Sequence, residues 1–287
     1  MARISKIFAL VAGLVFFAVL PGARAQDNTV ELTVLSQAPE ETRPLNLPDK
    51  CHTQGIAFDD NYFYLSCVAR KEKKAWVYRV PRTELGRDLG AVKFDKLEVT
   101  EGGQYHPSGL DINGECLWLA AAEYHPAPAN STFKCIDRET FREKTELAFK
   151  LDDHIGTVAA MEQWLVGMNW NAKTFYLMDY SGKLMAQGKN PGLASFQDCK
   201  HYREKLILCS GPSGKTASQG SLEIIEIAAP DPLSWKLKKC AIVDYPVGKF
   251  KSVAGEGMTW EGNDLYFVPE DLPRARLLRF NFPEFLE

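Results

Sequence analysis

No apolar run long enough to span a membrane occurs after the first 20 of the 287 residues, so a transmembrane body is excluded. The chain has no C-x-x-C pair, which removes the zinc ribbon and the thioredoxin-type redox motif. It has no G-x-S-x-G elbow, so it is not an α/β-hydrolase. A phosphate loop is also missing: Gly211 to Thr216 reads GPSGKT, without the required spacing and without a helix after it. No basic block appears, which argues against nucleic acid or an anionic membrane as partner. There is no low-complexity stretch and no convincing amphipathic helical period.

What is present begins with an export signal. Arg3 and Lys6 form a positive start, Ile7 to Leu20 is an uncharged apolar run, Pro21 breaks it, and Ala23-Arg24-Ala25 is a small-x-small cleavage site. Residues 1–25 are therefore expected to be a signal peptide, and 26–287 a single domain, secreted or periplasmic, with no membrane span after cleavage. Without Arg3, Lys6 and Arg24, 31 Lys and Arg face 37 Asp and Glu, a net charge of −6. Seven cysteines follow in an oxidising setting. Cys199 and Cys209 sit near register across one hairpin, Cys116 and Cys135 across another, and Cys51 and Cys67 flank a third. Those three pairs are the expected bridges, and Cys240 is left over.

One pattern recurs five times: a polar residue, a small residue, an alternating strand, a tight turn, and a second apolar strand. It reads HTQGIAFDDNYFYLSCVAR from His52, HPSGLDINGECLWLAAAEYHP from His106 and HIGTVAAMEQWLVGMNW from His154. It returns as SFQDCKHYREKLILCSG from Ser195 and AGEGMTWEGNDLYFVPED from Ala254. Further strands follow each copy, such as KAWVYRV, STFKCID and KTFYLMD. Spacings of about 40–60 residues with four strands per unit predict an all-β, five-bladed β-propeller. A six-bladed or open propeller-like arrangement and an open sandwich are the alternatives. The last copy has no fourth strand, whereas Asn28 to Gln37 (NTVELTVLSQ) has no partner near it. An N-terminal strand closing the last blade removes both gaps and leaves no free edge.

In a propeller, strand one lines the centre and strand two runs back against it. Strand-one starts and strand-two ends therefore share one face. The starts supply His52 and Gln54, His106 and Ser108, His154, Gln197 and Asp198, and Glu256. The ends supply Arg70, Glu123, Tyr124, His125, Asn169, Trp170, Glu270 and Asp271. A mouth with so many convergent polar groups is the candidate site. Three of the five histidines, His52, His106 and His154, hold one position in successive blades. Imidazoles around a narrow opening suit one divalent metal ion, and capping of the mouth by hydrogen bonds is the structural alternative.

HTQGIAFDD, HPSGLDINGECLWLAAAEY, and FQDCK followed by LILCSG resemble an exported propeller family of unknown function, related to the gluconolactonase-like and quinoprotein-like propellers. That resemblance covers most of the mature chain and implies the propeller fold but no activity. Thr53-Gln54-Gly55 and Gly255-Glu256-Gly257-Met258-Thr259 are similar to segments of the five-bladed glutaminyl cyclases. The acid those enzymes carry in the next strand falls near Ser66 here, and their G-E-G segment belongs to an early blade. Two functions are expected from the mouth. One is hydrolase- or lyase-type chemistry on a small polar molecule, with Glu256 or Glu123 as general base and a histidine or metal assisting. The other is a non-catalytic scaffold that holds a ligand or partner protein on the same face.

Overall fold

A computed structural model describes residues 32–87, 92–124, 129–213, 219–247 and 251–287. The expected signal peptide and His125 lie outside the described residues. Five antiparallel sheets follow one another in chain order, as the repeat predicts. The first blade comprises His52–Phe58, Tyr62–Ala69, Lys74–Pro81 and Asp95–Glu98. The third comprises Ile155–Ala160, Leu165–Asn169, Thr174–Met178 and Leu184–Lys189, and the fourth Asp198–Arg203, Leu206–Pro212, Gly220–Glu226 and Lys236–Val243.

The second blade departs from this regularity. Its inner strand is split into Gln104–Pro107 and Asp111–Asn113, both paired with Cys116–Glu123, which in turn pairs with Ser131–Asp137. The break falls where Gly109 N–H leaves its own sheet and donates to Gly156 O of the third blade at 3.0 Å. Its outer strand is likewise two short pieces, Arg142–Glu143 and Phe149–Leu151.

Ring closure holds, but one segment later than Asn28 to Gln37. Leu32–Leu35 pairs in parallel with Lys236–Val243 on the outside of the fourth blade. Glu41–Pro44 fills the empty slot of the fifth blade, antiparallel to Arg276–Asn281 and beyond Gly257–Glu261 and Asp264–Val268. Charge accounts for the choice. Arg279, opposite Glu41, reaches Glu40 at 3.0 Å and Glu41 at 3.4 Å, whereas the apolar Leu32–Leu35 has no counterpart for it.

Apolar side chains collect between the blades. Five buried clusters occur among the described residues, one for each interface around the ring. The cluster joining the first and last blades contains Leu45, Leu47, Ile56, Phe63, Leu65, Val268 and Leu277, so the seam is packed like the other interfaces. The three expected disulfides are present, Cys51–Cys67, Cys116–Cys135 and Cys199–Cys209. Cys240 is buried outside them, its sulfur 3.6 Å from Ser221 Oγ.

The centre is closed rather than open. Gly55 and Gly109 pass so near each other that a Cβ on Gly55 would lie 2.6 Å from Gly109 Cα. Beside them sit three buried ionisable side chains. Asp198 accepts backbone N–H bonds from Ile56 at 3.1 Å and Met258 at 3.0 Å, tying the fourth blade to the first and fifth. Asp111 accepts from Ala160 and His201, at 2.8 and 2.6 Å, tying the second blade to the third and fourth. Lys200 Nζ pairs with Asp198. The mouth is therefore a cup with a solid floor.

Candidate functional site at the mouth of the propeller

Antiparallel pairing puts His52 opposite Val68, Gln104 opposite Glu123, Ile155 opposite Asn169, and Gly257 opposite Val268. Starts of first strands and ends of second strands thus meet on one face, as the topology requires. Two groups of side chains form there.

The first lies between blades one and five. His52 Nδ1 is 2.7 Å from Asp271 Oδ1. A carboxylate can only accept, so Nδ1 carries a proton, while Nε2 lies 3.7 Å from Glu256 Oε2. Leu272 N–H donates to Cys51 O at 3.0 Å and Thr53 Oγ1 donates to Glu270 O at 2.9 Å, which fixes the strand start against the segment bearing Asp271. The Cys51–Cys67 bridge holds the other side of the same strand. An open cleft of about 490 Å³ adjoins this pair, lined by Lys50, His52, Arg70, Lys71, Asp271 and Arg274 among others.

The second group lies between blades two and three. His106 Nδ1 and His154 Nε2 are 3.0 Å apart. Trp170 lies against both rings, 5.3 Å from His106 and 4.4 Å from His154, and Tyr124 meets His106 edge-on at 5.2 Å. Tyr105 stacks on Tyr124, and the Arg70 guanidinium sits 5.6 Å from the same Tyr124 ring. His106 is only 5 % exposed. Burial, with His154, His52 and Arg70 nearby, pushes its pKa down to about 3, so the imidazole is neutral at ordinary pH.

The three histidines do not converge. His106 and His154 face each other, whereas His52 is engaged by Asp271 and approaches Glu256. Among the described residues no group of three or more His, Cys, Asp or Glu side chains is arranged to hold a metal ion. The divalent ion suggested by the histidine repeat thus has two close nitrogens to meet, not three.

Several mouth residues of the sequence reading have other work. Ser108 is fully buried, donating to Gly109 O at 2.5 Å and accepting from Ala120 N–H at 2.8 Å. Asn169 Oδ1 caps a turn by accepting from Lys173 and Thr174 N–H. Glu270 is bound by Arg276, with Nε–Oε2 at 2.9 Å. Gln54 Nε2 donates to Thr53 O, and Gln197 N–H donates to Ser210 O. Asp198 belongs to the floor, where burial raises its carboxyl to about 7 against the opposing pull of Lys200 and backbone N–H groups. Glu123 is half-buried at its strand end. Ser66 is buried, accepting from Gly55 N–H and donating to Ser108 O.

Asp111 and Lys200 were not anticipated. Both lie within alternating strands, where nothing distinguishes an inward charge from an outward one. Lys50, Lys71 and Arg274 were also missed, because they flank rather than begin or end strands.

Residues 41–278 match DUF6454, described as a family of unknown function. No curated protein matches the chain in sequence. Among solved structures, a Bacteroides thetaiotaomicron protein of unknown function is similar at a TM-score of 0.44 and 10 % identity, over 86 % of this chain and 74 % of that one. Virginiamycin B lyase from Staphylococcus aureus is similar at 0.41 and 13 %, over 80 % and 66 %. The WD40 domain of Toxoplasma gondii coronin is similar at 0.40 and 10 %, over 85 % and 84 %.

Proposed function

Since the chain belongs to DUF6454, a family of unknown function, we propose from its own geometry that it is an exported enzyme using acid–base chemistry on a small polar molecule in the propeller mouth. The observation that carries this reading is the Asp271–His52 pair at 2.7 Å, with Nε2 on the other side of the ring 3.7 Å from Glu256 Oε2. A histidine fixed in one tautomer by a carboxylate is the arrangement of a general base. In this reading His52 Nε2 takes a proton from water, whose oxygen bonds to an acyl carbon as that carbon's bond to the leaving oxygen breaks, or from a substrate carbon, whose electron pair forms a double bond as the leaving group on the next carbon departs. In either case the imidazolium returns the proton to the leaving group. Asp271 and Glu256 stabilise the imidazolium between them. This moves the base from Glu256 or Glu123 to His52 and leaves Glu256 as its electrostatic partner. Export rests on the N-terminal sequence, residues 1–25.

The test is turnover of a panel of lactones, simple esters and hydroxy acids prone to elimination, followed by proton NMR. The expected result is turnover of at least one compound class, lost in His52→Ala and reduced roughly a hundredfold or more in Asp271→Asn, the scale of general-base catalysis. Turnover unchanged in His52→Ala would reject the reading. Elemental analysis of the purified chain checks whether the His106–His154 pair holds a metal ion.

A second reading, a non-catalytic ligand-binding scaffold, is favoured by the aromatic group of Tyr105, Tyr124 and Trp170 around a neutral histidine. It takes precedence if nothing in the panel is turned over while a panel compound still raises the melting temperature.

A further inference from the structure

We infer that the cleft between blades one and five recognises an oxyanion, a carboxylate or phosphate group on the small molecule, with Arg70 as its principal contact. The inference deepens the acid–base reading of the same mouth and rests on it. The chain as a whole carries an excess of acid, with 37 Asp and Glu against 34 Lys and Arg. This cleft inverts the balance: Lys50, Arg70, Lys71 and Arg274 face only Glu72 and Asp271. Asp271 is engaged by His52.

Several arginines elsewhere on the surface are matched by carboxylates, as Arg82 is by Glu261, Arg276 by Glu270 and Arg279 by Asp264. None of the four cations of the cleft has a carboxylate within ion-pair distance among the described residues. Isolated surface cations commonly stand this way in solvent. Four around one hollow, beside a fixed histidine, are a different arrangement.

Arg70 differs from the other three. Its guanidinium rests 5.6 Å from the Tyr124 ring, itself stacked on Tyr105. That contact restrains the side chain on the side nearest His106 and leaves its planar fork for a ligand. An oxyanion held there lies in the cleft that His52 also lines. Arg70 is then a specificity group and His52 the reacting one.

The experiment is calorimetric titration of the full mature chain at low ionic strength with sodium succinate, inorganic phosphate, and succinamide as the uncharged counterpart of succinate. Succinate or phosphate should bind, more weakly as salt is added, while succinamide should not. Arg70→Gln should weaken the anion by about tenfold or more, the scale of a charge-assisted hydrogen bond. Arg203→Gln, at the far end of its strand and over Tyr202, should leave it unchanged. Succinate binding alone identifies a carboxylate ligand, and phosphate alone a phosphate ligand. Absence of binding by both anions, equal binding of succinamide, or an unchanged affinity in Arg70→Gln overturns the inference. His52→Ala separates the two claims. Anion binding that survives this change while no turnover depends on His52 leaves the anion site standing and removes the acid–base reading. Turnover that depends on His52 but not on Arg70 does the reverse.

Discussion

At the scale of single residues, a mouth position and a floor position look alike in sequence but differ in chemistry. Asp198 opens its strand like His52, yet it is fully buried and its oxygens accept from backbone on two other blades. Asp198→Ala should cost about 3–5 kcal/mol, because it leaves buried Lys200 without its carboxylate and the Ile56 and Met258 N–H groups without their acceptor. Denaturant unfolding measures this, and a loss below 1 kcal/mol would remove Asp198 from the structural role. His106 makes a prediction of opposite character. Its folded pKa of about 3 lies below the unfolded value of about 6.5. The unfolded chain therefore binds a proton that the folded chain refuses, and stability falls as pH drops from about 6.5 toward 3. His106→Gln should flatten the slope of unfolding free energy between pH 7 and 5 by up to about 1.4 kcal/mol per pH unit. Identical slopes would mean that His106 is not neutral. The repeat brought His106 to notice, but its burial, with Trp170 and Tyr124 against the ring and His154, His52 and Arg70 nearby, explains its state.

At the scale of elements, the strands of each blade were legible because alternation and hairpin turns mark them locally, as at Gly114, where φ is 58°. The cysteine pairs were legible for the same reason, since register across a hairpin fixes which sulfurs can meet. Cys199 stands directly opposite Cys209, and Cys135 opposite Trp118, two residues from Cys116. The closing strand was less legible, because both N-terminal segments alternate acceptably and the choice depends on Arg279, more than 200 residues away. Deleting residues up to 38 should therefore lower the melting temperature only slightly. Deletion through 45 should lower it sharply, since it opens the fifth blade and unpacks Leu45 from the seam. Equal effects of the two truncations would contradict the assignment of Glu41–Pro44. The Cys51–Cys67 bridge adjoins the site itself. Replacing both cysteines by serine should cost about 2–4 kcal/mol and weaken any activity more than the same change at Cys116 and Cys135. Thermal melts and turnover measured on the same samples check both halves.

At the scale of the whole molecule, the fold follows from five repeats and a closure, and five interblade clusters support it. The face that carries the candidate site follows from strand direction alone. What did not follow is how the histidines divide. A repeat equalises positions along the chain, whereas the ring sets each one against a different neighbour: Asp271 for His52, and His154 for His106. The proposed base is His52, held by Asp271. Long-range nitrogen–proton NMR of the histidine side chains at neutral pH tests this most directly. The expected result is a proton on His52 Nδ1 held by the Asp271 carboxylate, a signature lost in Asp271→Asn. A His52 ring with no proton on Nδ1 would contradict it.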